Sequence, residues 1–323
     1  VKRPAVVLGI ESSCDETCAA VARGPQRILA HAEASSLAQH AAFGGIIPEI
    51  ASRAHLESIA PVVDQALRRS GTAVRDLDAV AVTQRPGLIG SLLVGTSFAR
   101  ALSMAWGLPL FVVDHMRAHL YAAFIEAPLT FPFVGLVVSG GHTTLYKVSG
   151  LGREALLGQT RDDAAGEAFD KVAKILGLGY PGGPAIERLA QRGRPDAFSF
   201  SCACEGSDFS FSGIKTAVLY KVAELKRTYG ALARETVADL CASFQEAVVS
   251  DLVAKSIRAA CRARTRVLAV GGGVAFNEYL RRRLREAAPA GLRVLIAPRP
   301  YCLDNAAMVA SLGCRMASER NGR

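Results

Sequence analysis

A chain of 323 residues, half of them hydrophobic and 21% charged, has an ordinary globular balance and the length for two compact units. No apolar run reaches the roughly 20 residues that a membrane helix needs, so the chain is expected to be soluble, with no membrane role. Lys plus Arg exceed Asp plus Glu by 38 − 29 = 9, which suits a polyanionic partner without requiring one.

The start, "VKRPAVVLGIESSCDET", lacks a signal-peptide cleavage pattern. The eight cysteines include two close pairs, Cys14 with Cys18 and Cys202 with Cys204, but no C-x-x-C. They argue against a metal framework and for a reducing, cytoplasmic setting. Cys202 with Cys204 stays open as a soft-metal pair.

In chain order, "AVVLGIE" predicts a strand, "SSCDE" a tight turn and "TCAAVA" a second strand, with "RILAHAEA" a third. "PEIASRAHLESIAPVVDQALRRSG" has helical apolar spacing, opened by Pro48 and closed at Gly71. Strands "LDAVAVTQ" and "LPLFVVD" then alternate with helices "GSLLVGTSFARALSMAWG" and "HMRAHLYAAFIEA", as in a layered α/β sheet. "PLTFPF", with Pro128 and Pro132, reads as a crossover between lobes. The opening theme returns in "FVGLVVSGGHTTLYKVSG" and "REALLGQT", again three strands. "GEAFDKVAKILG", "RETVADLCASFQEAVVSDLVAKSIRAACRA", "FNEYLRRRLREAAP" and "NAAMVASLGCRMASER" predict helices, and "TRVLAVGGG" and "LRVLIAP" strands. The repeat lies in element order rather than in residue identity, and it implies two related lobes with a cleft between them.

"SGGHTT" (Ser139, Gly140, Gly141, His142) joins two expected strands. Glycine tolerates positive φ and close backbone approach, and successive amides there can cradle a phosphate; an ordinary hairpin turn fits as well. At the matching place in the first lobe, "ESSCDE" sets Asp15 and Glu16 at a hairpin tip. Carboxylates there assist a metal or a nucleophile, or simply face water. "AVGGGVAFNEYLRR" runs strand, triple glycine (Gly271, Gly272, Gly273) and helix. It admits a flat ligand or a phosphate, or is a structural turn, and it is neither G-x-G-x-x-G nor a P-loop. "LGYPGGPAIERL" brackets Gly182 and Gly183 with Pro181 and Pro184 before a helix. That helix start suits hydroxyls or an anion, and Glu187 suits a ribose; a rigid loop is the plain alternative.

His115 and His119 in "HMRAH" are i and i+4 on a predicted helix, so both imidazoles share one face and can reach one ion. They also fit as two polar residues of an ordinary helix. Met116 stands where a zincin helix carries its catalytic Glu, which argues against a metalloprotease. A third ligand is needed. Asp304 of "CLDNAAM" is the candidate, at a position that equally suits a helix N-cap.

"GIESSCDET", "GGIIPEIASRAH", "PGLIGSLLVG", "HMRAH", "VSGGHT", "GEAFDKVAKILGLGYPGGP", "DFSFSGIKTA", "GGGVAFN" and "CLDNAAM" occur together and in this order. With them the chain resembles the TsaD family of tRNA N6-adenosine threonylcarbamoyltransferases, essentially end to end, in a bacterial form because "SGGHT" carries His142. The resemblance implies an α/β, actin-like and sugar-kinase-like (ASKHA) fold: two duplicated RNase H-like lobes with an interlobe cleft. The N-terminal lobe is expected over 1–130, completed by a C-terminal helix at 305–323, and the C-terminal lobe over 131–304.

The same resemblance implies one divalent metal on His115, His119 and Asp304, iron first, with zinc or manganese as alternatives. It places substrate on Val138, Ser139, Gly140, Gly141 and His142, with Asp170, Gly183, Glu187 and Asn277 completing a nucleotide pocket. The implied reaction moves a threonylcarbamoyl group from threonylcarbamoyl-adenylate to the N6 amine of the adenosine just 3′ of the anticodon, giving t6A and AMP. The tRNAs are those reading codons that begin with A. A paralogous inactive TsaB-type subunit and a TsaE-type ATPase are implied partners. Asp15 and His142 are the candidates for polarising or deprotonating the amine. Arg281, Arg282, Arg283 and Arg285 are candidate tRNA-backbone contacts, or a solvated helix face.

Departures from the common pattern fall at Arg85, Arg117, Ala118, "SFSCACEG", Phe276 and Leu303. They bear on tRNA contacts and the surroundings of the metal rather than on the reaction class. Two rivals are a small-molecule kinase on the same fold and a non-catalytic scaffold of a tRNA-modifying complex.

Overall fold

The computed structural model describes residues 3–40, 45–202 and 204–320. Gly44 of "GGIIPEIASRAH", Ala203 of "SFSCACEG", and residues 1–2 and 321–323 of the expected lobes lie outside them. The chain divides into two compact units, Val1–Leu129 with Ala297–Arg323, and Thr130–Ile296. Residues 297–304, assigned above to the second lobe, group with the first unit, which therefore carries Asp304.

In the first unit, β1 (Val6–Glu11), β2 (Glu16–Arg23), β3 (Ile28–Ser35), β4 (Ala79–Arg85) and β5 (Leu110–Asp114) form one sheet in the order β3-β2-β1-β4-β5. β1 is antiparallel to β2 and parallel to β4. "VVLGIE" is buried at every position, as befits a strand apolar up to its closing Glu11 with both sheet faces covered. A short helix α1 (Leu37–His40) follows β3.

Helices α2 (Pro48–Ser70) and α3 (Ile89–Trp106) cover one face. Ile59, Val62, Val63 and Ala66 of α2 pack there with Leu8, Ile10, Ala19 and Val21. Pro48 opens α2 and Gly71, at φ 64°, closes it. Helix α4 (His115–Ala122) follows β5, and α10 (Ala306–Arg320) packs on the other face of β1. A side chain at Gly9 would put Cβ 2.5 Å from the Ala310 amide nitrogen, so only glycine lets strand and helix backbones come this close. Side chains alternate along β1, so Glu11 at its end shares the α10 face with Gly9.

The second unit repeats the plan. β6 (Phe133–Val138), β7 (Thr143–Gly150), β8 (Arg153–Gln159), β9 (Val267–Gly271) and β10 (Arg293–Ile296) run in the order β10-β9-β6-β7-β8. Two antiparallel pairings are again followed by two parallel ones. The unit's helices are α5 (Ala165–Ile175), α6 (Gly182–Ala190), α7 (Ser212–Tyr229), α8 (Arg234–Arg262) and α9 (Glu278–Ala287). The sequence reading assigned no element to α7. Its buried positions, Ile214, Val218 and Val222, form a stripe one residue wide, too narrow to stand out among polar neighbours. Among the described residues, no helix is long and apolar enough to cross a membrane.

Candidate metal centre and ligand loops

Helix α4 starts at His115 because Asp114 caps it, its carboxylate accepting from the Arg117 amide at 3.2 Å. One turn then separates His115 from His119, whose rings meet edge to face with centroids 4.6 Å apart. Both histidines are buried. Asp304 comes from the segment leading into α10. It is not that helix's cap: Asn305 accepts from the Met308 amide at 2.9 Å, which leaves the Asp304 carboxylate free to turn toward the histidines. Asp304 Oδ1 lies 3.0 Å from His119 Nε2 and 3.4 Å from His115 Nε2. One donor atom from each of the three residues lies within 4.8 Å of the others.

Behind His115 stands Glu11, fully buried, which the sequence reading passed over for Asp15 and Glu16. Its Oε2 is 3.3 Å from His115 Nδ1 and accepts from the Thr83 hydroxyl at 2.5 Å, while Oε1 accepts from the Ser13 amide at 2.7 Å. The signal was a charged residue closing an otherwise apolar buried strand. Only the fold reveals its partner 104 positions away.

Burial opposes charge on every one of these groups, and the mutual attractions win at His115, Asp304 and Glu11 but not at His119. Against the desolvation that would lower it, Asp304 and Glu11 hold His115 well above the ordinary histidine range. Burial would likewise raise Asp304, but His115 and His119 hold it well below the usual carboxylate range. Glu11 is lowered the same way, by His115 against burial. His119 is pushed down by burial. The buried Glu11 and the partly buried Asp304 thus both favour positive charge on His115.

A divalent cation fits this demand. An ion bound at about 2.0–2.2 Å holds neighbouring ligand atoms about 3.0–3.4 Å apart, which matches the two histidine–aspartate separations. With Nδ1 engaged by Glu11 and Ser13, His115 presents Nε2. His119 Nδ1 is buried without a hydrogen-bond partner, and the ring's contact to Asp304 is made through Nε2. A His₂Asp donor set suits iron, zinc or manganese.

A second set of donors also converges within 4.8 Å: Cys18, His31 and Glu33. It tempers the expectation that no cysteine belongs to a metal group. It fits worse, because burial and four nearby carboxylates hold the Cys18 thiol well above its ordinary range. Asp15 does not face water as the alternative for "ESSCDE" had it; it is buried, and its carbonyl accepts from Ser36 N and Oγ at 3.1 and 2.9 Å. Burial, with Asp15 next to it, pushes Glu16 up to about 9.

In the second unit, Val138 ends β6 and Ser139 closes a tight turn, its amide donating to the His142 carbonyl at 2.7 Å. Gly140 and Gly141 do not have the positive φ that glycine would permit here. A Cβ at either would meet nothing within 4 Å, so these residues present bare backbone to open space. The third glycine site is different. Gly272 has φ 96°, and a Cβ there would sit 2.3 Å from the Val138 carbonyl oxygen, which fixes the triple glycine against the end of β6.

Asp170 accepts from the Gly182 amide at 2.7 Å and holds the "PGGP" loop; burial raises it above the usual carboxylate range. Glu187 accepts from the Glu278 amide at 2.7 Å, and Asn277 caps α9 while donating to Gln245 at 2.9 Å. These three side chains therefore shape the loops from behind. Of the basic run, Arg281 is buried on the Ala275 carbonyl and Arg283 pairs with Glu246, so neither is a free backbone contact for RNA. The alternative of a simple solvated face fails for them too.

Two five-stranded sheets of the same duplicated plan, with a cluster of two buried histidines and a partly buried aspartate in the first unit, define an actin-like, sugar-kinase-like protein with a candidate metal centre. Solved structures agree on the fold. HypF of T. kodakarensis superposes with a TM-score of 0.67 at 16% identity, covering 98% of this chain and 48% of that one. Component A of the Acidaminococcus fermentans (R)-2-hydroxyglutaryl-CoA dehydratase superposes with a TM-score of 0.55 at 14% identity, covering 97% and 99%. The chain belongs to the TsaD family: the family profile described as tRNA N6-adenosine threonylcarbamoyltransferase matches residues 27–311. A relative of that name from Anaeromyxobacter dehalogenans is 52% identical over 98% of this chain and 96% of its own length. Another, from Symbiobacterium thermophilum, is 52% identical over 95% and 90%.

Proposed function

We propose that this protein transfers the threonylcarbamoyl group from threonylcarbamoyl-adenylate to the N6 amine of the adenosine 3′ of the anticodon, releasing AMP. The observation that carries this reading is the His115–His119–Asp304 cluster in a chain 52% identical, almost end to end, to tRNA threonylcarbamoyltransferases. A kinase on the same fold is not favoured, because kinship with the fold's other members stands at 14–16% identity.

Adenine's exocyclic amine is a weak nucleophile, since its lone pair is drawn into the ring. The adenylate supplies the activation, and the protein's main task is positioning. The backbone of Ser139, Gly140, Gly141 and His142 is open to a ligand, and its amides are the proposed hold on the donor. Val138, Asp170, Gly183, Glu187 and Asn277 are proposed to complete the nucleotide pocket, with Asp170, Glu187 and Asn277 shaping it. His115, His119 and Asp304 are proposed to hold one divalent ion, iron first, with zinc or manganese as alternatives. When bound, such an ion stabilises the charge that develops on a departing phosphate. Glu11 orients His115 so that Nε2 is the ligand atom. Asp15 and His142 are the proposed groups for the amine proton.

A TsaB-type subunit, a TsaE-type ATPase and a cytoplasmic location complete the proposal. Leu56 on α2 and Ile89, Leu93 and Met104 on α3 are exposed by 64–87%, an apolar surface suited to a protein partner. The test combines purified protein, the proposed partners, preformed threonylcarbamoyl-adenylate and unmodified tRNA, followed by nucleoside mass spectrometry. Modified adenosine is expected. ATP-dependent phosphorylation of a sugar without nucleoside modification would overturn the reading.

A further inference from the structure

We propose that a cavity in the second unit, lined by Phe131, Arg264, Arg266 and Arg293, is a docking pocket for the phosphate backbone of RNA. Its volume is about 470 Å³. It lies where β6, β9 and β10 begin. The Arg293 amide donates to the Arg266 carbonyl at 2.9 Å, in the register that pairs β10 with β9. Arg264, at φ 53° just beyond α8, takes the chain out of the helix, and Thr265 is buried beside it. This reversal brings Arg264 and Arg266 to the same edge as Arg293.

The three arginines are exposed, and among the described residues none pairs with a carboxylate. Several other basic side chains of this unit are matched: Arg161 with Asp208, Arg194 with Asp239, Arg283 with Glu246, Lys171 and Lys215 with Asp163. Three unmatched guanidinium groups around one cavity call for an anion with several charges, and their planar forks suit phosphate. Phe131 adds what a simple anion site would not need. Its ring is 40% exposed and stacks on the buried Phe133 at 5.8 Å, which holds it as a platform for a base or a ribose.

The pocket is not the donor site. Ser139 and Gly272 follow the far ends of β6 and β9, and six residues of β6 span about 20 Å. A folded RNA bridges such a distance. The inference rests on the proposed tRNA substrate, and it names a contact surface away from the reacting base. It also accounts for a basic chain in which two arginines of α9 are engaged internally.

The test compares wild type, the triple variant Arg264→Gln, Arg266→Gln, Arg293→Gln, the variant Phe131→Ala, and a charge control, Arg75→Gln, Arg192→Gln, Arg227→Gln. The control arginines are exposed and lie outside the pocket. Circular dichroism confirms folding, and tRNA affinity is measured from 50 to 300 mM salt alongside the transfer assay. The pocket triple should weaken tRNA binding at low salt at least about tenfold and reduce the slope of log K against log salt by about 2 to 3. KM for tRNA should rise while kcat and the KM for adenylate hold. Phe131→Ala should weaken binding and leave the slope unchanged. An equal loss in the charge control, or wild-type affinity in the pocket triple, overturns the pocket. A wild type that neither binds nor modifies tRNA overturns the function instead.

Discussion

Replacing Glu11 by Gln removes one buried charge at nearly constant volume. The carboxylate accepts from Ser13 N and Thr83 Oγ1 and faces His115 Nδ1. An amide cannot serve all three. With its NH₂ toward Thr83 and His115, it opposes the N–H that His115 must carry on Nδ1 when Nε2 is the ligand. Turned over, it opposes the Ser13 amide. Either way one buried donor is left unpaired, at a cost of about 1–3 kcal/mol in stability. Loss of such an orienting group costs about 10- to 100-fold in metal affinity, or about 1.4–2.7 kcal/mol. The assay titrates the metal-free protein with Zn²⁺ or Co²⁺ against a chromogenic chelator and follows thermal unfolding in parallel. Affinity within twofold of wild type in a folded Glu11→Gln protein would refute the idea that Glu11 orients His115.

Further outcomes follow from the same geometry. His115 sits above its ordinary value of 6.5 in the metal-free protein, so its contribution to stability is full below that value and fades as pH rises through the raised one. Thermal unfolding of metal-free protein should show this fall, and metal-loaded protein should not. Metal affinity should climb about tenfold per pH unit until His115 is neutral, and a pH-independent affinity would contradict its role as ligand. Gly272→Ala should destabilise the second unit strongly, because the new methyl meets the Val138 carbonyl at 2.3 Å. Gly140→Ala should unfold like wild type yet raise the KM for adenylate, since its methyl enters open space. In native thiol labelling, exposed Cys261 should react first, and buried Cys18, Cys241, Cys302 and Cys314 only after unfolding. Mass spectrometry of labelled peptides gives the order.

Much of this architecture was readable from residue spacing, because local rules govern it. Pro48 and Gly71 bracket α2, and "VVLGIE" could only be a covered strand. The i, i+4 histidines needed nothing beyond helix geometry. What escaped depends on distant contacts. Asp304 and His119 are 185 positions apart, and no spacing rule distinguishes a ligand from a cap. Asn305 takes the cap, which removes that role from Asp304. Arg281 and Arg283 look free in "EYLRRRLRE" until α9 packs on its neighbours. Asp15 at a turn looked solvated until Ser36 folded over it.

The most direct measurement is metal content paired with transfer. Wild type, His115→Ala, His119→Ala and Asp304→Ala are purified alike, assayed for bound metal by elemental analysis, and given adenylate and unmodified tRNA. Wild type should carry one ion per chain and modify tRNA, lose both on chelation, and regain both on re-metallation, with all three folded variants empty and inactive. Undiminished modification by chelated wild type or by Asp304→Ala would contradict a catalytic ion at this cluster.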